Sequence, residues 1–212
     1  MVTQAFGAAD STQVDKHTLH KHAHYLSVNG TFFLQQFLSF ANNTASVSPS
    51  PYIVEYRYMP GNHGFRIDAG GSFSNKKSFL DSSQVQISKT AALNFRIGYV
   101  YQKKIARHWS IFTGVDVITS INPDVLTDNS TIDIVTTTNN SYTVGLGPAL
   151  GIQFAISNRV GLFTETAFYY QATISKQTST SVNFPETNTT TNSIENDLKF
   201  IIPVSLFFYV RL

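Results

Sequence analysis

Apolar and polar residues alternate along this chain with a period of two. From Tyr142 to Ile156 one set of positions reads Tyr142, Val144, Leu146, Pro148, Leu150, Ile152, Phe154, Ile156. The set between them reads Thr143, Gly145, Gly147, Ala149, Gly151, Gln153, Ala155. The stretch from Leu198 to Leu212 alternates in the same way, and no helical spacing fits either. A period of two puts successive side chains on opposite faces of a strand. Read through the chain, it predicts strands over 25–40, 52–60, 64–74, 91–102, 109–120, 141–156, 160–172 and 197–212. These runs exceed the ~5–6 residues usual in globular sheets. Eight is an even number, which closes an antiparallel up-and-down barrel with both termini at one end.

The connections sort themselves by length. In order they run 11, 3, 16, 6, 20, 3 and 24 residues (41–51, 61–63, 75–90, 103–108, 121–140, 157–159, 173–196). Long and short alternate throughout, which places all long loops at one end and all short turns at the other. Transmembrane barrels have that asymmetry, and a soluble sandwich has no reason for it. The long loops are polar: 173–196 holds 15 Ser, Thr or Asn in 24 residues. Such a composition predicts mobile loops.

The chemistry of the two faces assigns inside and outside. One face carries Tyr52, Val54, Tyr56, Tyr58, Phe65, Ile67, Phe73, Phe95, Ile97, Tyr99, Ile111 and Val117, with no charge among them. A charge at mid-bilayer on that face would cost about 2–4 kcal/mol. The other face carries Glu55, Arg57, Arg66, Asp68, Arg96, Asp116, Glu165, Lys199 and Arg211 beside Phe33, Phe112, Phe163 and Phe207. Mixed charges among bulky rings fit a packed interior in which buried ions pair. An eight-stranded barrel is just wide enough to be filled by side chains. A plugged, salt-bridged interior is therefore expected rather than a conductive pore. Tyr56, Tyr58, Tyr99, Tyr101 and Trp109 fall near the short turns, and Tyr52, Tyr142 and Tyr170 near the long loops. These are the positions of interfacial aromatic belts.

Composition agrees with a chain of this kind. Charged residues are 13% of the 212, about half of the ~25% usual in a soluble domain. No run approaches 18 consecutive apolar residues, so no transmembrane helix is expected. There is no cysteine, which excludes disulfides, Cys-ligated zinc and thiol catalysis. A net charge of +2 gives no reason to expect nucleic acid. Residues 1–24 read as a periplasmic lead-in and 25–212 as the barrel. The first residues lack the basic and apolar regions of a secretion signal, so numbering is expected to start near a mature N-terminus.

The eight amphipathic strands, the sorted loops and the final Leu206-Phe207-Phe208-Tyr209-Val210-Arg211-Leu212 together resemble the small outer-membrane β-barrels of the OmpX/OmpA transmembrane type, in particular those common in Bacteroidetes. The resemblance covers about residues 25–212. It implies an outer-membrane location in a Gram-negative bacterium and contact with outer-membrane lipid and lipopolysaccharide. It also implies that Phe208, Val210 and Leu212 form the C-terminal signal read by the barrel-assembly machinery. That signal usually ends in Phe, and Leu212 departs from it. Fold does not choose a function within this group. A non-enzymatic role, structural or through the external loops in surface binding or adhesion, is expected. The alternative is an accessory subunit of a larger outer-membrane complex, such as a secretion or assembly machine. Gly30, Ala69 and Gly71 would offer that subunit an outward small-residue patch.

Few residues carry other chemistry. His20, His22 and His24 share one face if extended, and neutral imidazoles ligate zinc, copper or nickel. Lys16 and Lys21 beside them oppose a cation site. The barrel enzymes that the resemblance brings to mind need a His with a Ser at the external end. All six His fall in the tail or the short turns, so no Ser–His pair is expected there. No phosphate-binding, dinucleotide-binding or calcium-loop pattern occurs, and no cofactor is expected.

Overall fold

The computed structural model describes residues 22–31, 51–81, 84–130, 133–201 and 205–212. Among them the chain forms nine strands and a single turn of 3-10 helix at Pro185–Thr187. The strands are β1 (Ala23–Asn29), β2 (Val54–Met59), β3 (His63–Asp81), β4 (Gln84–Lys104), β5 (Trp109–Asn129), β6 (Ile134–Ala155), β7 (Val160–Ser181), β8 (Thr189–Ile201) and β9 (Leu206–Arg211). All pairings are antiparallel. They run β6-β5-β4-β3-β2-β1-β9-β7, and β7 pairs back to β6, so the sheet closes on itself. β8 and β9 lie one after the other along β7, β9 against Val160–Thr164 and β8 against Ala167–Ser179. Closure removes the free edges that an open sheet would expose. The backbone N–H of Leu212 donates to the His24 carbonyl at 2.9 Å, which sets the chain's last residue beside β1 at the short-turn end.

The short turns fall where the alternation breaks. Gly61, at φ +94°, turns the chain between β2 and β3, a backbone region that glycine enters without steric penalty. Ala106 and Trp109 exchange backbone hydrogen bonds across the second turn. Ser157 Oγ accepts from the N–H groups of Arg159 and Val160 in the third.

The long connections differ from the expectation. Residues 75–90, 121–140 and 173–196 are mostly strand, and the sheet runs on through them as three hairpin ribbons that also pair side by side, β4 with β5 and β6 with β7. Asn75 pairs with Lys89, Ile121 with Tyr142 and Thr173 with Glu195 in unbroken register with the barrel below. Hydroxyl pairs tie the ribbons across strands: Thr143–Thr173 at 2.9 Å, Ser141–Ser175 at 3.0 Å and Thr137–Ser179 at 3.4 Å. Thr suits a pleated strand, and cross-strand Thr/Ser pairs stabilise it. Hydrophobic alternation fades here because neither face meets a core, yet the backbone ladder needs no alternation. Residues 41–50 of the first long connection, Phe33 and the end of the first predicted strand lie outside the described residues. Ala23 and His24, expected in the 1–24 lead-in, already belong to β1 and pair with Met59 and Tyr58 of β2.

The tips of two ribbons are joined through Asp133. Its Oδ2 accepts from Ser181 Oγ at 2.5 Å, and its Oδ1 accepts from the N–H groups of Ile134 and Asn183 at 2.8 and 3.0 Å. The Ser181 hydroxyl first, then the Asn183 amide, holds the Asp133 carboxyl below the usual aspartate range. A lowered folded-state pKa means this tie is complete above the ordinary aspartate pKa and is lost as pH falls through the lowered value. Asp133→Asn is expected to speed amide exchange at Asn183 at neutral pH while leaving Thr143 unchanged. Acidifying both proteins should bring the parent's protection at Asn183, taken relative to the intrinsic exchange rate at each pH, toward the variant's. Equal exchange in both proteins at neutral pH would show that the carboxylate does not hold the tips together.

Candidate functional site

Period-two geometry aims alternate residues of every strand at the barrel axis, and the interior fills in layers. At the short-turn end Ala23, Met59, Val100, Phe112, Phe163, Phe207 and Tyr209 form an apolar cluster. Phe163 stacks on Phe207 at 4.7 Å between ring centres and meets Phe112 edge-on at 5.6 Å. Toward the ribbons a second cluster joins Tyr52, Ile118, Ala149, Ala167, Tyr169 and Ile201. Between them lies a layer of seven buried charged residues: Glu55, Arg57, Arg66, Asp68, Arg96, Asp116 and Glu165.

The geometry of that layer is specific. Arg66 grips Asp116 with two bonds, Nε to Oδ1 at 3.0 Å and Nη2 to Oδ2 at 2.6 Å. Arg96 grips Asp68 in the same way, at 2.8 and 3.0 Å. Glu165 bridges the two guanidinium groups, with Arg66 Nη1 and Arg96 Nη1 each 2.6 Å from one of its oxygens. Arg57 donates to Glu55 Oε1 at 2.6 Å, and the other Glu55 oxygen lies 3.6 Å from both Arg66 and Arg96. Two-pronged Arg–carboxylate pairs are directional as well as strong. The rings above and below complete the packing: Arg57 lies 4.3 Å from the Phe112 ring centre and Arg96 4.4 Å from that of Tyr52. Tyr169 donates its hydroxyl to Asp116 at 2.8 Å.

Two glycines make room for this layer. Gly151 lies beneath the Phe112 ring, and Gly98 lies against the Asp116 carboxylate, where a side chain would collide with it. Small residues opposite large ones are how a narrow barrel interior interdigitates.

Lys199 and Arg211 do not join the network. Lys199 shares the inward parity of Ile201 and lies opposite the buried Tyr169, but its own side chain is exposed, as β8 is from Thr189 through Phe200. Arg211 ends β9 at the short-turn end, half-exposed and beyond the apolar cluster. Tyr52 is also placed differently from the expected belt. It is buried inside, because Ile53 and Val54 both face outward at 40% and 41% exposure and shift the alternation by one residue before β2 begins. Tyr169 was legible as an inward position four residues after Glu165, but nothing in the sequence marks its bond to Asp116.

The remaining aromatic positions face outward. Tyr99, Trp109, Tyr142 and Tyr170 are exposed, and Tyr56, Tyr58 and Tyr101 are half-buried. His22 and His24 lie on the same outer surface and turn to tyrosines. His22 Nδ1 is 2.9 Å from the Tyr58 hydroxyl, and His24 Nδ1 is 2.7 Å from that of Tyr56. His63 meets Tyr99 in the same fashion. His20 lies outside the described residues, and among the described residues no group of three or more potential ligands gathers. Gly30 does not offer an open patch beside Ala69 and Gly71, because the Phe208 ring covers it. Phe208, Val210 and Leu212 are exposed on the outer face at the chain's end.

No family model and no curated protein matches the chain. Among solved structures it is similar to a major outer membrane protein from Thermus thermophilus, with a TM-score of 0.48 and 12% identity over 91% of this chain and 100% of that one. The architecture described above rests on this chain's own strand pairings.

Proposed function

We propose that this chain is an integral outer-membrane β-barrel of a Gram-negative bacterium, of the small OmpX/OmpA kind. In this reading β8 and β9 are two parts of an eighth strand, and the short turns face the periplasm. The role is non-catalytic, with contacts made through the three polar ribbons at the external end. The interior supports a plugged barrel, since the ionic layer is capped by an apolar cluster on each side. The terminal Phe208, Val210 and Leu212 serve as the signal to the assembly machinery.

One observation carries the proposal: the barrel is inverted relative to a water-soluble one. Seven charged side chains are buried at its centre, while Ile67, Phe95, Ile97, Val115, Val117, Val144 and Leu146 stand 44–60% exposed on a continuous outer band. A contiguous apolar surface of this kind is not left facing water in a monomeric soluble protein. Lipid satisfies it.

The test compares two arginine substitutions in detergent-folded protein. Ile97→Arg, near the middle of the band, is expected to destabilise by about 2–4 kcal/mol. Ile194→Arg, 71% exposed on the β8 ribbon, is expected to cost less than ~0.5 kcal/mol. The folded parent should also migrate faster on a detergent gel than the boiled one. Equal costs for the two variants, with solubility in plain buffer, would overturn the membrane reading.

A further inference from the structure

A groove of about 470 Å³ lies on the outer face of β3, β4 and β5, where the apolar band gives way to the ribbons. Its cause is local. Pro123 has no N–H to give, and the β4–β5 ladder skips from Thr90–Asp124 to Leu93–Ile121. The small Ala91 sits in that gap, opposite Phe73 on β3. The floor is therefore apolar: Phe73, Ala91, Pro123 and Val125. The wall holds Lys89. Lys77 stands on the same face one diagonal step away, since Lys77 pairs with Ile87 and Lys89 with Asn75.

The charge on this face has one sign. By strand parity the nearby acids Asp124 and Asp128 fall on the opposite face, where Asp128 accepts from Gln86 at 3.5 Å. No carboxylate among the described side chains shares the outer face with the two lysines. An apolar trough ending in unopposed ammonium groups, just beyond the apolar band, is complementary to an anionic amphiphile. We propose that this groove binds a membrane lipid carrying an anionic phosphate headgroup. Its acyl chain lies along Phe73, Ala91 and Val125, and its phosphate meets Lys89, with Lys77 contributing at longer range. The proposal rests on the reading of the outer band as lipid-facing, and it adds a specific site to it.

Native mass spectrometry of the full chain in detergent tests it, with phosphatidic acid, phosphatidylcholine and inorganic phosphate as probes. Phosphatidic acid should be retained at least about tenfold better than phosphatidylcholine, one tenfold step being ~1.4 kcal/mol. Lys89→Gln should lose most of that preference, while Lys103→Gln at the opposite end should keep it. Ala91→Phe fills the trough and keeps both lysines, so it should weaken retention of both lipids at this site. Undiminished preference in Lys89→Gln, or displacement of the lipid by equimolar inorganic phosphate, would overturn the proposal. Gel mobility of parent and variants separates the two failures. If the parent shows no shift on boiling, the membrane reading itself has failed. If the shift is kept and the preference is absent, only the lipid site has.

Discussion

Replacing Arg96 by leucine is expected to destabilise the barrel by about 3–5 kcal/mol, the usual cost of stripping one partner from a buried ion pair. The side chain holds Asp68 with two bonds and Glu165 with a third, and its plane covers Tyr52. Without it four buried carboxylates face two guanidinium groups, and Asp68 keeps no partner among the ion pairs above. Arg96→Lys should recover little, because an ammonium cannot reproduce the planar fork that spans Asp68 and Glu165. The control is Lys176→Leu on the exposed part of β7, expected within ~0.5 kcal/mol of the parent. Urea unfolding in one detergent measures all three. Matching midpoints for Arg96→Leu and Lys176→Leu would show that the inside and outside faces have been exchanged.

Gly98→Val is expected to cost about 3 kcal/mol or more through a different route. A side chain at position 98 lands on the Asp116 carboxylate, near the Val115 carbonyl. Overpacking alone costs ~1–3 kcal/mol. Here the displaced group also holds Arg66 with two bonds and accepts from Tyr169, so a buried acceptor loses partners as well. A double-mutant cycle distinguishes this from a general strain on β4. With Asp116→Ala already in place, Gly98→Ala should cost clearly less than it does in the parent, because the obstructing carboxylate is gone. Strictly additive costs would show that position 98 acts through something other than Asp116.

Both predictions depend on contacts that alternation alone does not specify. Parity put Glu55, Arg57, Arg66, Asp68, Arg96, Asp116 and Glu165 on one face, and the structure brings all seven into one buried layer. It could not choose partners, since three arginines and four acids share the face. That choice is made by stagger between neighbouring strands: Asp68 sits directly opposite Arg96, whereas Arg66 reaches across the barrel to Asp116 and Glu165. Lys199 shows the complementary failure. Its parity is inward and it lies opposite the buried Tyr169, yet its own side chain is exposed, because parity carries no information on whether a strand's inward face is covered.

Tyr52 failed for a local reason. Alternation assumes an unbroken pleat, and the two consecutive outward residues Ile53 and Val54 break it just before β2. The polar ribbons failed for a general one. Hydrophobic alternation marks a strand only where one face is apolar and the other is not. Between Ile121 and Tyr142, or Thr173 and Glu195, neither face is consistently apolar, and the strand is held by backbone pairing and cross-strand hydroxyls that leave no periodic trace.

The sequence by itself therefore determined the β class, the short turns, the division of side chains into an apolar outer band and a charged inner face, and most of the aromatic positions. These follow from composition and a period of two, which are local properties. Only the tertiary structure decided how far the strands continue past the band, which acid each arginine holds, and where a proline gap opens a groove beside Lys89. Those depend on register between strands distant in sequence, and register is set by closing the whole ring rather than by any one strand.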